Sequence, residues 1–85
     1  MNNKKKYTEA LELLKNKINS IENQDDRIEF LQTVNKDAEH TIASIKKVND
    51  MDPVAVDMMW GMSLTSIELM TEIVDDLISK NQKIH

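Results

Sequence analysis

Between Met1 and Asp52 this chain contains neither proline nor glycine, and its 85 residues hold one of each, Pro53 and Gly61. Turns, bulges and strand ends draw on those two residues, so a chain with so little of either is confined to long runs of regular structure. Leu, Ile, Glu, Lys, Met and Ala, which favour helix, are abundant. The predicted class is all-α.

Eighty-five residues are too few for two ordinary domains and enough for one modest core, so residues 1–85 read as a single helical domain. A domain of this size buries only about 60% of the surface its unfolded chain exposes and gains from a partner or from self-association. A homodimer is therefore expected. With no cysteine there is no disulfide framework, thiolate zinc site or thiol nucleophile.

Apolar spacing divides the chain into three helices. Tyr7, Leu11, Leu14, Ile18 and Ile21 alternate four and three apart, one stripe of a helix over roughly 7–22. Three lysines at 4–6 oppose the helix macrodipole, so residues 1–6 are expected to fray, as are 81–85. Continued past Ile21, the stripe meets Asp25, Gln32, Asn35, Glu39 and Lys46, and its phase is lost. A second stripe at Ile28, Leu31, Val34, Ala38, Thr41/Ile42, Ile45 and Val48 predicts a helix over roughly 25–48, with acids at its start and Lys46-Lys47 at its end. Asn49-Asp50-Met51-Asp52-Pro53 is the clearest break: Asp52 can cap a helix whose first residue is Pro53, predicting a third helix over roughly 53–80. Short connections make successive helices antiparallel, giving an up-down-up three-helix bundle or half of a larger bundle built by two chains.

The third helix carries the most functional information. At 100° per residue from Val54, its apolar side chains cover roughly 40° to 280°, about twice the width a surface helix needs. Either the helix lies between the other two, or part of the arc is left for another chain. The margins of the arc are the candidate partner-binding residues: Met58, Met62 and Leu69 on one side, Trp60, Leu64 and Ile78 on the other. Methionine repacks readily against different partners, and tryptophan is a frequent interface anchor. Met59 and Met70, near the middle of the arc, read as core. Gly61 fits a close approach by another helix.

Charge narrows the partners. The net charge is −4 with one arginine, and the acids gather toward the C-terminal end: residues 51–85 carry six against two lysines. Nucleic-acid binding rests on clustered Lys and Arg, and Lys4-Lys5-Lys6 and Lys46-Lys47 are the only basic clusters, so no nucleic-acid partner is expected. Polar residues follow the basic opening where a signal peptide would turn apolar, and no run reaches the ~18 apolar residues of a membrane span. The expectation is a cytoplasmic protein with no membrane partner.

Catalytic readings are weaker. Asp26 and Glu29 open the second helix, Glu72 and Asp75 lie late in the third, and an antiparallel hairpin brings those ends together; four carboxylates there would suit Mg²⁺. The run Glu72-Ile73-Val74-Asp75-Asp76-Leu77-Ile78 resembles the Glu-x-x-Asp helix of the all-α nucleoside-triphosphate pyrophosphohydrolases of the MazG type, and that resemblance implies a metal-dependent nucleotide hydrolase as the alternative function. It covers under a tenth of the chain, and Asp26 and Glu29 match the family's upstream acidic helix imperfectly and across a longer gap. Asp37 and His40 are spaced as one ligand pair of a di-iron bundle, but such a site needs the pair twice, and His40 points away from its helix's apolar stripe. No Ser-His-Asp set and no Gly-rich phosphate loop is present. The reading is a small non-enzymatic regulator, inhibitor or adaptor, without cofactor, acting through the margins of the third helix. Phage-encoded inhibitors, antitoxin or immunity proteins and chaperone-like adaptors share this character.

Overall fold

In the computed structural model, residues 2–48, 50 and 52–83 are described, with side chains as far as Lys80. Three helices follow in order: α1 (Asn3–Ile18), α2 (Gln24–Lys47) and α3 (Pro53–Lys83). The chain runs up, down and up. α1 and α3 are parallel, since Asn3 meets Asp57 at one end and Lys17 meets Asp75 at the other. α1 packs chiefly against α3, and α2 lies against both less closely.

The break before α3 is built as its residues predict. Pro53 is the first helical residue, and the Val54 N–H donates to Asp52 Oδ1 at 3.0 Å. The helix continues to Lys83, past the predicted end at 80. α2 is capped at its start in the same way, with Asn23 Oδ1 accepting from the Asp26 N–H at 3.0 Å and Asp25 and Asp26 in the first turn. Asn49 and Met51, within the predicted connection, lie outside the described residues, as do Met1, Ile84 and His85.

α1 departs from the predicted bounds at both ends. It opens at Asn3 instead of residue 7, although the first turn holds no acid and Asn2 makes no side-chain cap. The missing acceptor comes from another helix. Asp57 of α3 takes the Asn3 backbone N–H on Oδ1 (3.3 Å) and the Asn3 side-chain amide on Oδ2 (3.1 Å), while the Asp57 carbonyl accepts from the same amide at 3.2 Å. A carboxylate on the first free N–H of α1 offsets the field of Lys4–Lys6. At the other end α1 stops at Ile18 instead of residue 22, because the next turn tightens: the Ser20 N–H donates to Lys17 O and the Ile21 N–H to Ile18 O. That tighter turn keeps Ile21 in the core.

The core is the predicted α1 stripe, Tyr7, Leu11, Leu14, Ile18 and Ile21, closed by Val34 and Ala38 of α2 and by Ile67 and Val74 of α3. Phe30 and Leu31 cover it at the α1–α2 connection, where Arg27 donates to the Ile21 carbonyl at 3.2 Å. The molecule is elongated, 52 × 20 × 13 Å, with a radius of gyration of 14.7 Å. A compact chain of this length has about 12 Å. Its surface is 6282 Å², against about 5,200 Å² for a compact monomer of this mass.

Candidate functional site

The wide apolar arc of α3 is divided between inside and outside. Trp60, Leu64 and Ile78, proposed as one margin, pack half-buried against the core. The Trp60 ring lies 5.3 Å from that of Tyr7, tilted by 51°, and the Lys4 ammonium stands 5.9 Å from its centroid. Met59 is half-buried, and Met70 packs half-buried against the core.

The other margin faces outward. Met58, Met62 and Leu69 are 63%, 73% and 57% exposed. Val54 and Ile73, absent from the sequence-derived candidates, are exposed with them. At 100° per residue these five fall within roughly 100° of one another, a continuous stripe over about 29 Å of helix. Five large apolar side chains aligned on one helix differ from the scattered apolar residues of ordinary surfaces. The signal for Val54 and Ile73 lay in their spacing from Met58 and Leu69.

What separates the two margins is where α1 docks. Asp57, Gly61 and Asp75 mark the α1 side of α3. A methyl group built on Gly61 would sit 2.9 Å from Asn3 Nδ2, so this glycine leaves room for the Asn3 side-chain amide. Lys17 Nζ donates to Asp75 Oδ1 and Oδ2 at 2.8 and 2.9 Å. α2 borders the exposed stripe, and a shallow groove between α2 and α3 is lined by His40, Thr41, Ser44, Met59, Met62 and Ser63, among others.

A second cavity of about 430 Å³ lies between the three helices, walled by Tyr7, Leu11, Ile42, Ile45, Val56 and Trp60, with Lys4 and Lys46 also lining it. Among the described residues, no carboxylate or histidine lines it. The chain matches no protein-family model, and comparison with curated proteins and with solved structures finds no match.

The four carboxylates considered for Mg²⁺ are not assembled. Among the described residues no group of three or more His, Asp or Glu side chains is arranged to hold a metal ion. Asp75 is paired with Lys17, Glu29 lies with Gln32, Lys36 and Glu39 on one side of α2, and Asp26 and Glu72 are exposed. No helix among the described residues is long and apolar enough to cross a membrane.

The buried group with a perturbed proton affinity is Tyr7. Burial raises its pKa above the usual value, the Asp37 carboxylate raises it further, and the Thr41 hydroxyl works weakly the other way. Among the described residues the phenol oxygen has no hydrogen-bond partner of good geometry. Its place in the core, packed on Trp60, makes it a structural residue.

Proposed function

We propose that this protein acts by protein–protein association through the outer stripe of α3, as a small regulator, inhibitor or adaptor, and not by catalysis. The observation that carries this reading is the alignment of Val54, Met58, Met62, Leu69 and Ile73, exposed along one face of the longest helix. Two methionines in that stripe give it a deformable surface suited to packing against another protein. The acidic C-terminal half of the chain favours a protein partner over a polyanion.

Methionine oxidation tests the proposal directly. Thioethers open to solvent react with peroxide and covered ones do not, so Met58 and Met62 report whether the stripe is covered where the protein works. Within cells they are expected to oxidise at least several-fold more slowly than in the urea-unfolded chain. Oxidation in cells at the unfolded rate would sink the proposal.

A further inference from the structure

We infer that the occupant of the α3 stripe is a second copy of this chain, its α3 running antiparallel to the first about a two-fold axis between Ser63 and Leu64. This rests on the reading of the stripe as a binding surface and names what covers it.

The spacing of the stripe carries the inference. Along the helix its positions are Val54, Met58, Met62, Thr65, Leu69 and Ile73, with intervals of four, four, three, four and four. That order is the same in both directions. An antiparallel copy centred between 63 and 64 therefore sets Val54 on Ile73 of the partner subunit, Met58 on Leu69 of the partner subunit, and Met62 on Thr65 of the partner subunit. Such a face is self-complementary, which an isologous two-fold interface requires. The stripe also repeats every eleven residues, pairing Val54 with Thr65, Met58 with Leu69 and Met62 with Ile73. An eleven-residue repeat stays on one face of a nearly straight helix, so contact persists along its whole length.

Charge chooses the direction. Asp76 and, one turn further, Lys80 continue the same face beyond Ile73, and Glu72 lies on its edge at the angle of Val54. A parallel pair would set Asp76 against Asp76 and Glu72 beside Glu72, a repulsive arrangement. The antiparallel pair carries Asp76 past the start of the partner's α3, toward the end of the molecule where α2 finishes in Lys46 and Lys47. Lys47 lies three residues beyond Ser44 and seven beyond His40, on the side of α2 that borders the stripe.

The test uses the full chain, which has no cysteine of its own, so single introduced cysteines can be spin-labelled uniquely. Light scattering over a concentration series is expected to give about twice the 9.8 kDa monomer mass. Labels at Ser66→Cys are expected about 8 Å apart along the helix axes, and labels at Glu72→Cys about 26 Å apart, before the 8–10 Å between axes is included. A dimer with equal, short separations at both positions would be parallel and would overturn the inference. A monomer throughout would also overturn it, and if Met58 and Met62 were nonetheless protected in cells, the wider proposal would stand with a different protein as occupant. Leu69→Glu, at an exposed position, is expected to keep the helical spectrum and to weaken the dimer by about tenfold or more.

Discussion

Gly61 and Asn3 are adjusted to one another, and the energetics of the pair can be separated. Alanine at 61 gains up to about 1 kcal/mol of helix propensity. Its methyl group would displace the Asn3 amide, which donates two hydrogen bonds to Asp57 worth about 0.5–1.5 kcal/mol each. Gly61→Ala is therefore expected to destabilise by about 1 kcal/mol in the natural chain and to stabilise by a similar amount in an Asn3→Ala background. Urea unfolding of the four variants measures this, and the same sign in both backgrounds would refute the coupling. Tyr7 gives a second prediction. Its phenol is held protonated more strongly in the folded chain than in the unfolded one, so its contribution is fully present below the unfolded pKa near 10. Stability should fall as pH rises through that value toward the higher folded one. Tyr7→Phe removes the orphaned hydroxyl and is expected to gain about 1 kcal/mol at neutral pH and to lessen the alkaline loss. As Tyr7 is the sole tyrosine, phenolate absorbance follows its titration alone.

Each helix was legible from its own residues to the extent that its own residues determine it. Asp52-Pro53 signals the start of α3 because cap and first turn are adjacent in the chain, and the Tyr7-to-Ile21 stripe names every core residue of the first segment. The start of α1 was not legible, since its acceptor lies on Asp57, 54 residues away. The two margins of the α3 arc are equivalent in sequence. Only the docking of α1, through Asn3 with Asp57 and Lys17 with Asp75, determines that Trp60, Leu64 and Ile78 go inside while Met58, Met62 and Leu69 stay out. Asp57→Ala should accordingly open the first turn of α1 while leaving α2 intact, at a cost of about 1–2 kcal/mol. Amide hydrogen exchange measures it: faster exchange at Lys6 and Tyr7 with no change around Val34 and Ala38 is the expected pattern. Equal acceleration in α2 would mean that Asp57 supports the whole bundle and not one helix end.

For the whole molecule, a shape 52 Å long and 13 Å thick leaves little depth for a core, and each helix touches solvent along much of its length. If a second copy completes the bundle, folding and association are linked, and the midpoint of thermal unfolding rises with protein concentration. Scanning calorimetry over a wide range of concentration is expected to show that rise for the natural chain. The Met58→Glu/Leu69→Glu double variant should show none, and a concentration-independent midpoint for both would count against assembly. The contact between α1 and α3 also has a consequence in time. Residues joined at the two ends of that contact stand 54 and 58 positions apart, so the loop must close before the best-packed pair of helices can form. During synthesis, α1 emerges long before the aspartate that secures its first turn. The α1 stripe, which supplies most of the buried core, stays uncovered in the nascent chain until Asp57 and Asp75 of α3 are free to meet it, and that is the interval in which this protein is most open to capture by a chaperone.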